Sequence, residues 1–188
     1  FCLTWSVGAA VVQKLGVQDR DRFDKFIKAQ SGYQCFEGEG LSATQLPQDS
    51  LYEYVFDLDK RQWLTWKSRV KPLEIQEDAK FASIVVPTVD TVRSSWLLET
   101  FCEKGKPVLF VGDSGTAKTV TILKYLRGLD LTKNQVLTSN FSSRTTSRDV
   151  QLGIEDVVEK RTKDTFGPAM GKKLICYFDD LNMPKRET

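Results

Sequence analysis

The sequence predicts an α/β fold in which strands and helices alternate around a parallel sheet, preceded by a smaller helical segment. Two apolar runs, Val108–Val111 and Leu174–Phe178, have the length and composition of strands buried on both faces of a sheet. The segments between them give the order strand, helix, strand, helix, strand, which is typical of an α/β sheet. Near the amino end, Phe23, Phe26 and Ile27 recur at the spacing of an amphipathic helix.

The composition excludes several classes of function. The chain has 27 Lys and Arg against 25 Asp and Glu, so we expect no broad positive field that would hold nucleic acid or a membrane surface. Histidine is absent, which excludes a histidine general base, a Ser-His-Asp triad and the commonest zinc ligand. The 4 cysteines form no Cys-x-x-Cys pair, and no apolar run approaches the ~18 residues of a membrane span. We therefore expect a soluble cytosolic protein that binds an anion only through a local site.

The first part of the chain predicts helices, then a connection, then one strand. Leu3–Leu15 is an apolar stretch interrupted by Gly8, and with a helix at Phe23–Ala29 it suggests a small helical bundle or the end of one. Residues 31–50 are rich in Gly, Ser, Gln and Pro without periodicity, which predicts a connection between domains. Tyr52–Leu58 alternates apolar with polar residues and predicts an edge strand or half of a hairpin.

From residue 83 the pattern becomes that of alternating strands and helices. An apolar Ile84–Val86 ends at Pro87, and Asp90–Cys102 has helical spacing before a Gly and Pro stop. After the Val108–Val111 strand, a helix, a strand, a helix and a strand are predicted in turn at Thr119–Arg127, Val136–Phe141, Asp149–Arg161 and Leu174–Phe178.

A glycine-rich turn between the first buried strand and its helix predicts a phosphate-binding loop. It fits the pattern G-x-x-x-x-G-K-[ST] except at one position, and it consists of Gly112, Asp113, Ser114, Gly115, Thr116, Ala117, Lys118 and Thr119. Such a turn points backbone N–H groups at a phosphate chain at the positive end of the helix dipole. Lys118 would reach the β- and γ-phosphates, and the Thr119 hydroxyl would coordinate Mg²⁺. The predicted cofactors are ATP or ADP with Mg²⁺.

Ala117 is the departure from that pattern, because it replaces the second glycine. It adds one methyl group where the backbone packs close to phosphate. We expect it to lie at the start of the helix with a negative φ, which alanine adopts without strain. Nucleotide binding should therefore survive.

The last apolar strand ends in two carboxylates and predicts the metal-binding strand of a nucleotide hydrolase. Asp179 would hold Mg²⁺, through water, and Asp180 would act as the catalytic group that polarises the attacking water. Glutamate is the usual residue at the second position. Because aspartate is one methylene shorter, its oxygens fall about 1 Å short, and misplacement of that order can cost ~100-fold in rate. We expect slow or absent hydrolysis.

Several segments together closely resemble dynein heavy chains. The resemblance covers nearly the whole chain and is weakest over residues 31–50. The segments that carry it are Thr4–Gly8, Val86–Arg93, Asn140–Ser147, Phe166–Lys173 and Asp179–Pro184.

The resemblance implies the large subdomain of an AAA+ P-loop NTPase with an incomplete parallel sheet. Within that family the pattern best matches the third AAA+ module. Residues 1–35 would end the helical lid of the preceding module, residues 36–82 would connect the two, and residues 83–188 would begin the nucleotide-binding domain. Carried over residue by residue, Val86 and Pro87 would flank the base, Lys118 and Thr119 would hold phosphate and metal, and Asp179 and Asp180 would serve metal and water.

The resemblance also implies a cellular setting. Its axonemal style implies a microtubule motor of a cilium or flagellum, in the cytoskeleton of the cytoplasm, in which this module binds nucleotide to regulate motility. The implied partners are neighbouring AAA+ modules of the same heavy chain, other dynein chains, and microtubules through a distant stalk. We expect no nucleic acid and no membrane among them.

Several features of the family are expected outside this sequence. Neither end resembles a natural terminus, so we expect a fragment. The sensor asparagine, the lid of this module and an arginine finger would lie beyond Thr188 or on an adjacent module. The family's fourth strand, which lies between the first and the third, is missing, so unpaired backbone groups should prevent this segment from folding alone.

Two other functions stay open from the residues alone. A structural module would hold nucleotide permanently, and an AAA+ helicase or chaperone would share the Gly-Asp-x-Gly-Thr-Ala-Lys loop. Trp63 and Trp66 are interpreted as packing residues rather than base-stacking platforms. Asn140 can steer the second carboxylate, but we favour its role as a turn former at the end of a strand.

Overall fold

The computed structural model describes residues 1–11, 19–73 and 86–185. The chain divides into two compact units, residues 1–97 and residues 98–188, and each is described by itself. Across the described residues, no helix has both the length and the apolar character that crossing a membrane needs.

The first unit begins with helices. Helix α1 spans Cys2–Ser6, a 3₁₀ turn spans Gly8–Ala10, and helix α2 spans Asp19–Ser31. The predicted helix at Leu3–Leu15 is thus shorter than expected, and its later part lies outside the described residues. Position 8 needs glycine, because a Cβ there would collide with the Phe23 ring and with the Tyr52 hydroxyl, which donates to the Gly8 carbonyl at 2.8 Å.

Short strands follow α2. Strand β1 (Cys35–Phe36) pairs in parallel with β3 (Leu46–Pro47), and β2 (Leu41–Ser42), β4 (Tyr54–Asp57) and β5 (Gln62–Thr65) form an antiparallel sheet in the order β2-β5-β4. The edge strand or half-hairpin predicted at Tyr52–Leu58 is confirmed as β4, which lies at the edge of the sheet and pairs with β5, although the 3₁₀ turn Leu51–Glu53 takes its first residues. Residues 31–50, predicted to connect two domains, hold the short strands β1, β2 and β3, and β2 pairs with the later strand β5. Their role as a connection stays a prediction.

Aromatic residues form the core of the first unit. The buried residues are Trp5, Tyr52, Val55 and Trp66 in one cluster, and Leu46, Leu51, Tyr54 and Trp63 in another. Their rings meet edge to face, an arrangement that adds to the free energy of burial. Trp63 is 4% exposed and Trp66 is fully buried, so both pack in the core and neither offers a face to a base.

Two helices and a βαβ unit dominate the rest of the chain. Helix α3 spans Val89–Glu103 and helix α4 spans Lys118–Arg127, as predicted within one or two residues. Strand β6 (Asn134–Asn140), helix α5 (Ser147–Glu155) and strand β9 (Lys173–Asp179) follow, with the small antiparallel pair β7 (Glu159–Lys160) and β8 (Phe166–Gly167) between α5 and β9. Strands β6 and β9 are parallel over all seven residues, which confirms the predicted α/β class and incomplete sheet.

Three predictions about this part need correction. Val108–Val111 forms no strand, because no strand of the described chain pairs with it, and Leu109 and Val111 are 71% and 84% exposed. Helix α5 ends at Glu155 rather than at Arg161, since the β-branched pair Val157 and Val158 leads into β7. Strand β9 has the predicted position, but only Tyr177 in it is buried because the sheet has two strands here.

Candidate functional site

The glycine-rich loop leads directly into α4 through two left-handed residues. Gly115 has φ 80° and Ala117 has φ 59°. The expectation of a negative φ at Ala117 is therefore wrong, because this residue still belongs to the tight turn and only Lys118 begins the helix. For an L-residue with a Cβ, the left-handed conformation costs about 1–2 kcal/mol. The loop holds strained backbone at a position where its pattern usually has glycine.

Lys118 lies over the loop that precedes it. Its ammonium donates to the carbonyls of Gly112 and Asp113 at 2.8 and 2.5 Å and to the Thr116 hydroxyl at 3.1 Å. The Thr116 hydroxyl in turn donates to the Asp113 carbonyl at 2.8 Å. These bonds curl the loop around one positive charge, so a negatively charged group at the loop meets that charge at close range.

The amino end of α4 has free donors. No side chain caps the helix, and the first backbone bond into it runs from Thr121 N–H to the Ala117 carbonyl at 3.0 Å. The N–H groups of the residues before Thr121 therefore have no partner within the helix, as at any helix start. Together with the helix dipole they favour an anion at this end.

Strand β9 delivers a carboxylate to the same place. The Thr119 hydroxyl, in the first turn of α4, donates to Asp179 Oδ2 at 3.1 Å. Asp179 is the last residue of β9, where it pairs with Asn140 of β6, and its carbonyl accepts from Phe141 N–H at 3.0 Å. The structure thus brings the loop and the acidic strand together, two motifs that are 60 residues apart.

The electrostatic surroundings keep Asp179 ionised. The nearby Tyr177 hydroxyl is the largest influence that lowers the pKa of the Asp179 carboxyl, and hydrogen bonds from Thr119 and from Asp180 N–H act in the same direction, as does the charge of Lys118. Burial opposes them by raising the pKa, without reversing the shift. An ionised carboxylate beside a threonine hydroxyl is a pair of hard oxygen ligands of the kind that Mg²⁺ prefers.

Asp180 lies just beyond β9 in a turn. It has φ 55°, which aspartate tolerates better than most residues. Its N–H donates to Asp179 Oδ1 at 3.1 Å and its carbonyl accepts from Met183 N–H at 2.9 Å, while the side chain is exposed. The backbone of Asp180 therefore orients Asp179, and its own carboxylate is free to face solvent.

The remaining predicted residues belong to the first unit or differ from expectation. Val86 and Pro87 belong to the first unit, where Val86 is exposed and its carbonyl accepts from the Thr91 hydroxyl at 3.3 Å; their role beside a base stays a prediction. Asn140 is the last residue of β6 and not a turn former, because the turn that follows runs from Ser142 to Thr145.

One residue of the site was missed by the sequence reasoning. Tyr177 is 8% exposed, and its hydroxyl lies near Asp179 and Thr119 without meeting hydrogen-bond geometry to any described residue. Burial, with the carboxylate beside it, raises the pKa of Tyr177 to about 12. The strand period could have indicated it, since residues two apart in a strand share one face.

The residues present fit a magnesium nucleotide. Thr119 and Asp179 supply hard oxygen donors, the start of α4 supplies uncapped N–H groups, and Lys118 supplies a cation. Tyr177 adds an unpartnered buried hydroxyl that faces the same two ligands. Mg²⁺ is commonly held by one or two protein oxygens together with phosphates and water, and Thr119 and Asp179 would supply those protein oxygens here.

Two family descriptions match the chain. "P-loop containing dynein motor region" matches residues 73–188, which include the loop and the acidic strand. "Dynein heavy chain AAA lid domain" matches residues 1–68, which hold α1, α2 and the small antiparallel sheet.

Curated relatives match along the whole length. The chain is 57% identical over 188 residues to the Dynein-1-alpha heavy chain of the flagellar inner arm I1 complex of Chlamydomonas reinhardtii, covering 100% of this chain and 4% of that protein. It is 43% identical over 186 residues to Dynein axonemal heavy chain 10 of Homo sapiens, covering 96% of this chain and 4% of that protein. It is 35% identical over 188 residues to the Dynein-1-beta heavy chain of the same algal complex, covering 99% of this chain and 4% of that protein.

Proposed function

Since this chain belongs to the dynein heavy chain family, we propose that its phosphate loop and the end of β9 form a regulatory nucleotide site. The site binds ATP or ADP with Mg²⁺ and hydrolyses ATP slowly or not at all. The observation that carries the proposal is the 3.1 Å hydrogen bond from Thr119 to Asp179, which joins the phosphate loop to the acidic strand.

Each residue has a task that its surroundings support. Lys118 exchanges its bonds to the loop carbonyls for phosphate oxygens, because an ammonium binds a charged oxygen more strongly than a neutral carbonyl. The Thr119 hydroxyl and the Asp179 carboxylate hold the metal directly or through water. Bound Mg²⁺ would neutralise the charge that develops on the phosphates.

Slow hydrolysis is proposed on the position of Asp180. Its side chain is short, and it starts from a left-handed backbone at the exposed end of the strand. A carboxylate that must polarise water needs hydrogen-bond reach to that water, and an error of about 1 Å can cost ~100-fold in rate. A site of this kind keeps ATP bound for long periods, which suits regulation better than force production.

The wider role follows from the relatives rather than from the site. We propose that the whole protein is a microtubule motor of the axoneme of a cilium or flagellum, and that this is its third AAA+ module. Neighbouring modules of the same heavy chain, other dynein chains and microtubules would be its partners. The chain spans 4% of the length of these relatives. The motor activity is therefore proposed from the relatives and not from the residues of this site.

Photoaffinity labelling tests the nucleotide site in the full natural polypeptide. An azido-ATP analogue is bound with Mg²⁺ and photolysed, and the labelled peptides are identified, so that label in residues 86–185 reports this module alone. We expect Lys118→Ala to remove most of that label, because it deletes the cation of the loop.

Lys124→Ala is the matched control, since Lys124 is an exposed lysine on the same helix. Its labelling should equal that of the unchanged protein. Equal labelling of the Lys118→Ala protein would contradict the proposal, as would an absence of label from residues 86–185 in the unchanged protein.

A further inference from the structure

The buried hydroxyl of Tyr177 has no structural use that the fold explains. Tyr177 is 8% exposed on β9, and its hydroxyl has no hydrogen-bond partner among the described residues. A buried polar group without a partner costs about 1–3 kcal/mol, a cost that phenylalanine would avoid with the same ring. The hydroxyl therefore calls for a role other than packing.

The position of Tyr177 indicates that role. It precedes Asp179 by two residues in the strand, so both side chains leave the sheet on the same face. Thr119, which donates to Asp179, lies near the same hydroxyl. The phenol is thus the third oxygen beside the two that the proposed function assigns to the metal.

The phenol also has the chemistry of a donor. Its hydroxyl is a donor as well as an acceptor, since a phenol has one O–H. Asp179 is an acceptor whose carboxylate already receives bonds from the Thr119 hydroxyl and the Asp180 N–H. A carboxylate has about four lone-pair positions for its two oxygens, so it can receive another donor.

We propose that Tyr177 is a positioning residue of the metal site, whose hydroxyl donates to Asp179 and holds that carboxylate in the orientation that binds Mg²⁺ or its water. The inference rests on the proposed nucleotide function. Groups that orient a metal ligand typically change metal affinity by 10- to 100-fold when they are removed. The hydroxyl acts through Asp179, not on the phosphates.

The test is Tyr177→Phe in the full natural polypeptide, with photolabelling of residues 86–185 measured at a series of free Mg²⁺ concentrations. We expect the Mg²⁺ concentration for half-maximal labelling to rise by ~10-fold or more. Labelling without Mg²⁺ should stay unchanged, because the loop and Lys118 are untouched. A merely structural tyrosine would leave the half-maximal concentration where it is.

Tyr125→Phe is the matched control. Tyr125 is a half-buried tyrosine of α4 whose hydroxyl lies near Cys102, on a helix that also carries Thr119. Its replacement should leave the Mg²⁺ dependence unchanged. Equal shifts in the Tyr125→Phe and Tyr177→Phe proteins would overturn the inference.

The remaining outcomes separate the inference from the function on which it rests. An unshifted Mg²⁺ dependence in Tyr177→Phe, with label still lost in Lys118→Ala, overturns the role of Tyr177 alone. Loss of labelling even without Mg²⁺ in Tyr177→Phe also overturns it, because the hydroxyl would then hold the fold. If Lys118→Ala keeps its label, the nucleotide site itself is wrong.

Discussion

The Thr119 hydroxyl donates a hydrogen bond of 3.1 Å to the Asp179 carboxylate, although 60 residues separate them. One residue belongs to the first turn of α4 and the other ends β9, so the bond joins the helix that follows the phosphate loop to the βαβ unit. Because the proposed function assigns both residues to the metal, we expect a substitution at Asp179 to change the Mg²⁺ dependence of nucleotide binding.

Asp179→Asn should remove the Mg²⁺ dependence of nucleotide binding. The amide keeps the size of the side chain but loses the charge that a divalent cation requires. We expect labelling of residues 86–185 by the azido-ATP analogue to be the same with Mg²⁺ and with excess EDTA. In the unchanged protein EDTA should lower it, and a variant that still responds to EDTA would show that Asp179 does not serve the metal.

Ala117→Gly should stabilise the amino end of α4. Ala117 has φ 59°, which costs about 1–2 kcal/mol for a residue with a Cβ and nothing for glycine. We expect slower hydrogen exchange at residues 121–124, whose N–H groups make the first bonds of the helix, in the nucleotide-free protein by about 5- to 30-fold, because 1.4 kcal/mol corresponds to a factor of ten.

Gly115→Ala is the matched opposite change. Gly115 has φ 80°, and a Cβ there would meet no atom within 4 Å, so only backbone strain is added. Exchange at residues 121–124 should become faster by a similar factor. The strain argument fails if both variants change exchange in the same direction.

The βαβ unit could be predicted because its signals are local. Apolar runs and helical spacing located α4, β6 and β9 to within a few residues, and a parallel sheet follows from a helix that connects two strands. The end of α5 was harder, since its apolar spacing continues into Val157 and Val158, where pairing of β7 with β8 takes over.

The features that the sequence did not predict depend on strand pairing, on backbone dihedral angles and on neighbours that are distant in the sequence. Val108–Val111 has the composition of a buried strand, yet a strand forms only beside another strand, and none in the described chain pairs with it. The pattern of the phosphate loop says which residue replaces glycine but not its φ, so the strain at Ala117 was missed. Tyr177 reads as one more apolar residue until its hydroxyl is located beside Asp179.

Asp24→Ala should destabilise the first unit, in which Asp24 links α2 to the segment around Leu51. Asp24 is 6% exposed on α2, where it accepts from Leu51 N–H at 2.7 Å and pairs with the Lys28 ammonium at 2.6 Å. Removing one partner of a buried ion pair costs about 3–5 kcal/mol, and Leu51 N–H would lose its acceptor as well. We expect the hydrogen-exchange protection of Leu51 and of α2 to fall by at least ~100-fold.

Lys25→Ala is the control for that change, because Lys25 is an exposed residue of the same helix. In this variant the free energy of hydrogen-exchange protection at Leu51 and in α2 should stay within about 0.5 kcal/mol of that in the unchanged protein. If Asp24→Ala behaves like Lys25→Ala, the buried pair does not tie α2 to the segment around Leu51.

Asp180→Glu should accelerate hydrolysis at this module. Glutamate places its carboxylate one methylene further from the backbone, which restores about 1 Å of reach toward the attacking water, and a gain of that order can reach ~100-fold in rate. Part of the gain is lost because Asp180 has φ 55°, a conformation that aspartate tolerates better than glutamate. The net expectation is an increase of about 10-fold or more. The measurement uses the azido-ATP analogue labelled on either the α- or the γ-phosphate. After a single binding event and timed photolysis, the ratio of γ- to α-phosphate label on residues 86–185 reports how much ATP has been hydrolysed.

Asp180→Asn, which keeps the shorter side chain without the charge, should show no loss of γ-label. If Asp180→Glu turns over no faster than the original, the short carboxylate is not what limits hydrolysis.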